Sequence, residues 1–385
     1  MRLCSSKALL LWRYCCLPIL MMKRIALLLG LLVIAVAALN LAGCSTVSYY
    51  AQAVNGHLKL MRARQSIDEL LAASDTDEEL RRKLQLLRDA RVYAVSNLGL
   101  PDNESYSTYA ETGRQYVTWN VVAAPEFSLK PKTWCFPVAG CVSYRGYFAE
   151  ERARAYAEYL KSEQYDAIVG GATAYSTLGW FDDPLLDTMM RGSDIRLVGV
   201  LFHELAHQQL YVKDDSNFNE AFASFVEQAG VRRWLADGGK ADTIPAYDAY
   251  LQRQIDFGEL LKSSRGELVA LYKQSLPENE MRAAKAAVFD TMRANYATLK
   301  ADKWNGYSGY DNWFAKDLNN ARLLAVATYR KWVPAFAVLF EQVDQDFERL
   351  YAEAKKLADM PAAERRDKLL ELIEGDEVVV GVANH

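Results

Sequence analysis

The pentad His-Glu-Leu-Ala-His at residues 203–207 is the sequence feature that most constrains the fold of this chain. Only four histidines occur in 385 residues, and two of them stand here four positions apart. Residues i and i+4 lie on one face of an α-helix, so the two imidazoles can share one metal ion while Glu204 reaches a water bound to it. The pentad therefore predicts a helix, a metal site and metal-assisted hydrolysis.

The residues around the pentad have the pattern of an amphipathic helix. Apolar side chains recur at about 3.6-residue spacing through Leu197, Leu201 and Leu205, and Ser193 is a candidate N-cap. This pattern predicts a helix over residues 193–211. The alternative is a pair of histidines packed on a half-buried helix face without a metal, and the motif spacing favours the metal.

A catalytic zinc site needs a third protein ligand, and histidine does not supply it here. The remaining histidines, His57 and His385, lie far from the pentad in the sequence. A second predicted helix over residues 217–236 offers two carboxylates, Glu220 and Glu227, about two helical turns apart on nearly the same face. By spacing alone either can be the ligand, and Glu227 can instead accept a hydrogen bond from a ligating histidine.

Two motifs together carry a family resemblance. The pentad at 203–207 and the run Asn-Glu-Ala-Phe-Ala-Ser-Phe-Val-Glu at 219–227 resemble those of the gluzincin metallopeptidases, above all the alanyl-aminopeptidase type. The resemblance covers residues 165–230 in detail. With its lipid-attachment signal, the whole chain is similar to a family of bacterial lipoproteins described as putative zinc aminopeptidases.

The resemblance implies a ligand set and a mechanism. One zinc ion would be bound by His203, His207 and Glu220, and peptide bonds would be hydrolysed through a zinc-bound water with Glu204 as general base. The connection between the two motifs is shorter here than in the alanyl-aminopeptidase type. We therefore expect a tight polar turn between two antiparallel helices.

The segment before the pentad is where gluzincins place the edge strand that pairs with substrate. Small residues at 170–174 would admit a second backbone, and Gly171, Ala172 and the nearby Tyr175 are the predicted substrate-binding residues. A bulged core strand is the alternative. The alanyl-aminopeptidase type binds the substrate's free amine with a glutamate of this strand, and the segment here has none. Asp182 or Asp183 can replace that glutamate, or they can belong to a solvated turn.

An oxyanion donor is also required, and no spare histidine is available. The resemblance points to Tyr310 as this catalytic residue. Packing or capping is the alternative role for Tyr310, and Arg322 can serve either as a donor or in a structural ion pair.

The amino end predicts export and lipidation. Basic residues Lys23 and Arg24 precede an apolar run, and the sequence Leu-Ala-Gly-Cys ending at Cys44 matches the bacterial lipobox. Residues 1–43 are thus a predicted lipoprotein signal peptide and Cys44 the lipidated residue, while a retained transmembrane anchor is the alternative. Met21 or Met22 would serve as an alternative start, which places residues 1–20 upstream of the signal.

The charge balance bears on partners and location. The whole chain has 45 lysines and arginines and 49 aspartates and glutamates. Removal of the predicted signal peptide takes away five of the basic residues and none of the acidic ones. The acidic mature chain disfavours a nucleic-acid partner, and membrane contact is expected through the lipid alone. Ser45 resembles the pattern that allows transfer to the outer membrane. The expected location is the bacterial cell envelope, on the outer membrane facing the periplasm.

Two cysteines besides Cys44 remain after processing. Cys135 and Cys141 stand six positions apart around a Pro and a Gly, and an exported protein meets an oxidising compartment. A local disulfide is expected. Free buried thiols are the first alternative, and zinc binding is disfavoured because no further soft ligands lie nearby.

The pattern along the chain predicts an α+β fold that is predominantly helical, with a zincin-like metallopeptidase core, a small mixed sheet and a helical C-terminal lobe. Residues 44–192 form the predicted N-terminal α/β part with the substrate edge strand, and within it residues 56–98 look helical. Residues 193–385 form the helical zinc-binding and C-terminal part. Pro334 is expected to break or kink a long helical segment over 315–357.

The sequence therefore predicts a lipid-anchored zinc-dependent peptidase that acts on peptides, with an aminopeptidase as the first choice. An endopeptidase or a hydrolase of cell-wall peptides is the alternative within the same chemistry. A non-catalytic envelope lipoprotein that only binds is the third possibility, although a binding module has no need of Glu204 as a base.

Overall fold

The structure is a computed structural model, and it describes residues 47–136, 140–177, 180–327 and 331–383. The predicted signal peptide and Cys44 lie outside the described residues. The chain divides into two compact units, residues 1–57 and 58–385, and in the first unit residues 47–57 are helical. Among the helices described, none has the length and apolar character needed to cross a membrane.

The described strands belong to three small sheets, and most of them have only two or three residues. In chain order they are β1 (Arg64–Ser66), β2 (Thr108–Ala110), β3 (Thr118–Pro125), β4 (Trp134–Phe136), β5 (Gly140–Val142), β6 (Arg145–Tyr147), β7 (Tyr165–Ala172) and β8 (Leu185–Leu186). The sheet orders are β1-β2-β8, β6-β3-β7 and β4-β5. Among these described strands, β2 and β8 pair in parallel and the other pairs are antiparallel.

Helices make up most of the described chain. After β1 they are α1 (Ile67–Ala72), α2 (Glu78–Leu98), α3 (Glu150–Ser162), α4 (Asp194–Gln209), α5 (Ser216–Asp237), α6 (Ile244–Leu271), α7 (Glu278–Asp302), α8 (Asp311–Phe314), α9 (Asn320–Ala327), α10 (Val333–Gln342), α11 (Phe347–Asp359) and α12 (Ala362–Ala383). The prediction of a mainly helical chain with small sheets is confirmed.

The α4–α5 pair forms the centre of the largest buried cluster. The ring of Phe222 on α5 lies 5.5 Å from that of Phe336 on α10, and Phe218 lies 5.3 Å from the same ring. All three side chains are fully buried. Burying a phenylalanine stabilises a fold by roughly 1.5–3 kcal/mol, so these rings fix α5 firmly against the C-terminal helices.

A second buried cluster lies between α6, α7 and the residues that follow them. Its members include Phe257, Phe289, Met292 and Trp304. The first cluster draws residues from both sides of residue 193, where the sequence predicted a division. The predicted boundary at residue 193 therefore stays a prediction, and it marks the change from mixed to mainly helical structure along the chain.

Two stretches differ from the predicted helices. The segment 56–98 contains the strand β1 and ends as two helices, α1 and α2. The long segment 315–357 is divided into separate helices, as expected from Pro334, which lies in the first turn of α10 where a new helix begins. The first turn suits proline, since the N–H that proline lacks has no intrahelical partner there.

Candidate metal centre

Three side chains from α4 and α5 converge on one point. His203 and His207 lie one turn apart on α4, and Glu220 lies in the second turn of α5. Glu220 Oε2 is 3.4 Å from His203 Nε2, and its Oε1 is 3.7 Å from His207 Nε2. One ligand atom from each residue falls within 4.8 Å of the other two. The structure thus brings together the three residues that the sequence motifs predicted.

The spacing of these atoms can be tested against zinc. Nitrogen and oxygen ligands about 2.0–2.2 Å from a tetrahedral ion lie roughly 3.4 Å from one another. The two nitrogen–oxygen distances at Glu220 are close to that value. His203, His207 and Glu220 therefore fit a four-coordinate zinc with one position left for a further ligand.

Glu227 contacts a histidine and lies on the far side of the ring from the ligand group. Its Oε2 is 3.1 Å from His203 Nδ1, whereas Nε2 of the same ring faces Glu220. A carboxylate in this position fixes the tautomer and orientation of a metal-binding imidazole. Of the two roles that the spacing left open, the geometry supports the hydrogen-bonding one for Glu227.

Gly199 makes room for this contact. A Cβ atom at Gly199 would lie 3.0 Å from Glu227 Oε1 and 3.3 Å from its Cγ. Gly199 precedes His203 by one helical turn, so the absence of a side chain lets Glu227 reach across to the imidazole. Sequence patterns contain no signal for this requirement, because a glycine within a helix is more often merely tolerated.

Burial and charge shift the pKa values of His207 and Glu204, which lie on α4 beside His203. Burial lowers the pKa of His207 to about 4, and the nearby His203 adds to this effect. His207 is therefore neutral near pH 7, the form that can bind a metal. Burial also raises the pKa of Glu204 to about 7; His203 opposes the rise, while Glu220 and Asp183 support it.

Asp183 is a buried carboxylate in the neighbourhood of Glu204. It is fully buried, and its Oδ2 accepts hydrogen bonds from the backbone N–H of Thr177 at 2.7 Å and from the Thr177 hydroxyl at 3.0 Å. The backbone oxygen of Asp183 accepts from the N–H of Tyr106 at 2.6 Å. Asp183 is thus built into the protein interior, while Asp182 is exposed.

Tyr106 has an unusual backbone conformation, and it lies close to α4. It is buried and has a φ of 63°, in the left-handed region where non-glycine residues are uncommon. The preceding Ser105 hydroxyl accepts a hydrogen bond from Gln208, which follows the pentad directly. Sequence patterns do not reveal such a residue, because a tyrosine is not among the residue types that favour the left-handed region.

The predicted substrate segment includes a sheet edge. β7 contains Gly171 and Ala172, and it lies at one end of the order β6-β3-β7. A Cβ at Gly170 would meet nothing within 4 Å, whereas one at Gly171 would collide with the ring of Tyr116. Gly171 therefore accommodates a side chain of this protein, and Gly170 offers the open position.

The remaining predicted residues lie in other contacts. Tyr175 packs on Phe148, with ring centroids 5.4 Å apart. Tyr310 stacks on Phe257 at 4.2 Å and packs against the second buried cluster, so its role as a catalytic residue stays a prediction. Arg322 donates from Nε to the backbone oxygen of Asp317 at 2.7 Å.

Cys135 and Cys141 are joined by a disulfide bond. They face each other directly in the β4-β5 pair. The bond closes a hairpin whose residues 137–139 lie outside the described ranges.

Comparison with known proteins supplies one positive result. No curated protein and no solved structure matches the chain significantly. The sequence model of one protein family matches residues 48–369, which include the motifs at 203–207 and 219–227 and nearly all of the described chain. The description of that family is "Putative aminopeptidase", which supports a peptidase. Because the match spans most of its length, this chain belongs to the putative aminopeptidase family.

Proposed function

We propose that this protein is a zinc-dependent peptidase of the bacterial envelope, anchored by a lipid at Cys44, and that it removes residues from the amino ends of peptides. The observation that carries the proposal is the convergence of His203, His207 and Glu220 at distances that suit one zinc ion. The family match adds the peptidase class. A zincin-like core of the gluzincin type is part of the same proposal.

Zinc, when bound, would polarise the scissile carbonyl and acidify a water molecule. Glu204 follows the proposed ligand His203 directly in the chain and is half-buried, and burial raises the pKa of its carboxylate to about 7, which suits a general base. It would accept the proton from the attacking water and deliver it to the leaving amine. Glu227 would keep the imidazole of His203 in the binding orientation throughout.

The edge position of β7 supports an extended peptide as substrate. A strand with an unpaired edge can bind a peptide backbone through main-chain hydrogen bonds, and the open space at Gly170 would admit it. This mode of binding serves an aminopeptidase and an endopeptidase equally. The family description favours the aminopeptidase.

The test uses three forms of the purified protein: wild type, Glu204→Gln and His203→Ala. Zinc content is measured together with the hydrolysis of two matched peptide sets, one with free amino ends and one with blocked ends. We expect one zinc in the wild type and in Glu204→Gln, with hydrolysis reduced at least 100-fold in the latter because the base is lost. His203→Ala should lose both zinc and hydrolysis.

The peptide sets separate the alternatives. Cleavage of free-amino peptides only supports the aminopeptidase, and cleavage of blocked peptides at a similar rate identifies an endopeptidase. Full activity in Glu204→Gln would exclude the proposed mechanism. Zinc binding without cleavage of either set would favour a lipoprotein that only binds its ligand.

The anchor has its own test. Cells supplied with a labelled fatty acid should label the wild-type protein and leave the Cys44→Ser variant unlabelled. Separation of inner and outer membranes should recover the labelled protein with the outer membrane. Labelled protein in the inner-membrane fraction would contradict the proposed location, and the absence of label would contradict the anchor.

A further inference from the structure

The disulfide-closed hairpin lies against the turn that joins the two metal-binding helices. The strands β4 and β5 contribute only three residues each, with Cys135 opposite Cys141. A Cβ atom at Gly140 would collide with Asp214 Oδ1 and lie 3.0 Å from Lys213 Cγ. The turn therefore approaches the hairpin backbone so closely that a side chain at Gly140 would have to displace Asp214.

A hydrogen bond joins the hairpin to the turn. The backbone N–H of Cys141 donates to Asp214 Oδ1 at 2.5 Å. The donor belongs to one of the two disulfide-bonded residues themselves. A change in the backbone at the disulfide would therefore alter this hydrogen bond to Asp214 directly.

Asp214 stands at the point where the chain reverses between the helices. Its φ is 66°, in the left-handed region that aspartate and asparagine tolerate better than other non-glycine residues. The next residue, Asp215, caps α5 by accepting from the N–H of Phe218 at 3.1 Å. The proposed ligand Glu220 lies in the second turn of α5. The backbone conformation at Asp214 therefore affects the position of the start of α5, and with it the position of the Glu220 carboxylate.

The disulfide matters because the hairpin is too small to hold its own shape. Two strands of three residues are marginally stable in water without further support. A cross-link between facing residues removes the open conformations of the unpaired chain. The bond thus keeps the Cys141 N–H aimed at Asp214.

We infer that Asp214 is a positioning residue for the metal centre and that the Cys135–Cys141 disulfide holds it in place through the Cys141 N–H. The oxidised hairpin fixes the turn and hence the Glu220 carboxylate relative to the two histidines. Reduction takes two electrons and two protons, converts the disulfide to two thiols and removes the support that the hairpin gives to Asp214. Zinc affinity then falls. This inference rests on the proposed metal site.

The experiment measures the zinc dissociation constant of the full chain in detergent by competition with a fluorescent chelator. Asp214→Ala removes the acceptor, and Asp214→Asn is the matched control, since it keeps an acceptor oxygen and tolerates the left-handed backbone. We expect Asp214→Ala to weaken zinc binding on the order of tenfold, as loss of an outer support typically does. Asp214→Asn should stay within about threefold of wild type, because it retains the same kind of support.

The disulfide is tested separately with the Cys135→Ser/Cys141→Ser double variant, which contains no hairpin thiols that could bind zinc themselves. It should weaken zinc binding to the same extent as Asp214→Ala. Treatment with a phosphine reductant, which becomes the phosphine oxide, should weaken binding in the wild type and leave the double variant unchanged. If Asp214→Ala fails to fold, the loss of zinc affinity in the double variant relative to the wild type, together with the effect of the reductant, still tests the role of the disulfide.

The outcomes separate this inference from the proposed function. If the wild type binds one zinc and all variants bind it equally tightly, the positioning role is wrong and the metal site stands. If the wild type binds no zinc, the proposed function fails, and this inference fails with it. Equal weakening in Asp214→Ala and Asp214→Asn would also overturn the positioning role.

Discussion

Asn219 holds Val212 through both ends of its side-chain amide. Asn219 Oδ1 accepts from the Val212 N–H at 2.7 Å, and Nδ2 donates to the Val212 carbonyl at 2.8 Å. The two bonds join the end of α4 to the start of α5 across the short turn. The asparagine that precedes the proposed ligand Glu220 in the motif therefore has a structural role, because it closes the turn that brings Glu220 to the two histidines.

Replacing Asn219 with alanine should open this turn. Asn219 is 2% exposed, and two buried hydrogen bonds contribute about 1–3 kcal/mol together. We expect the free energy of unfolding of Asn219→Ala, measured by urea denaturation, to fall by about 2 kcal/mol. Asn217→Ala is the control, because Asn217 is exposed at the start of α5 and should change stability by less than about 0.5 kcal/mol. Equal losses of stability in the two variants would contradict the role of the Asn219 amide in closing the turn.

A methyl group at Gly199 should displace Glu227. The added carbon would lie 3.0 Å from Glu227 Oε1, closer than ordinary contacts allow. His203 would lose its oriented partner, and zinc affinity in Gly199→Ala should fall by about 10- to 100-fold in a chelator competition. Gly258→Ala on α6 is the matched control, since nothing lies within 4 Å of the added carbon. The control should keep zinc affinity and gain slightly in stability.

Arg365 of α12 should be essential for stability, in contrast to its neighbour. Its side chain is 5% exposed and donates from Nη2 at 2.8 Å and from Nε at 3.0 Å to Asp215 Oδ2, at the start of α5. Removal of one partner from a buried ion pair costs about 3–5 kcal/mol. We expect Arg365→Ala to lower the free energy of unfolding by about 3 kcal/mol.

Arg366 supplies the control for this prediction. It pairs with Asp367 at the surface, where both side chains are more than half exposed. Exposed pairs contribute about 0–1 kcal/mol, so Arg366→Ala should leave the denaturation midpoint nearly unchanged. A similar loss of unfolding free energy in both variants would mean that α12 is sensitive to any change of charge. The buried pair would then contribute no more to stability than the exposed one.

Asp183 should make stability depend on pH. Burial raises its pKa from the usual 3.8 to about 6. The folded protein then binds this proton more tightly than the unfolded chain, so the contribution of Asp183 is most favourable below about pH 4 and is lost as the pH rises toward 6. The difference is up to about 3 kcal/mol.

The Asp183→Asn variant isolates this effect, since its amide oxygen can still accept from the Thr177 N–H. The unfolding free energy of the wild type minus that of Asp183→Asn should decrease between pH 4 and pH 7. The exposed Asp182→Asn variant should give a flat difference over the same range. A flat or rising difference for Asp183→Asn would show that the carboxyl is not held in its protonated form by burial.

Most of the candidate site could be predicted from the sequence because its residues lie close together in the chain. The pentad predicted α4 to within two residues of its observed ends, and a second predicted helix close by offered Glu220 and Glu227, between which the motif resemblance favoured Glu220. Periodicity reveals such elements, since it acts within a few turns. The interpretation of Glu227 needed the structure, as spacing alone allowed both ligation and a hydrogen bond.

The supports of the site could not be predicted in the same way. Asp215 and Arg365 are far apart in the chain, and Gly140 meets Asp214 across more than seventy residues. No local pattern records such pairs. The strand β1 was missed within a predicted helical stretch for a related reason, because three residues are too few to show a strand period and only pairing with β2 makes them extended.

The closeness of the ligands along the chain has a consequence for the order of folding. His203, His207 and Glu220 fall within 18 consecutive residues, on two helices and one short turn. Closing so small a loop costs little chain entropy, and contacts of short sequence separation form fastest. A nascent helical hairpin therefore contains every proposed zinc ligand before the distant strands have paired. Zinc taken up at that stage would hold the two helices together while the rest of the chain assembles around them.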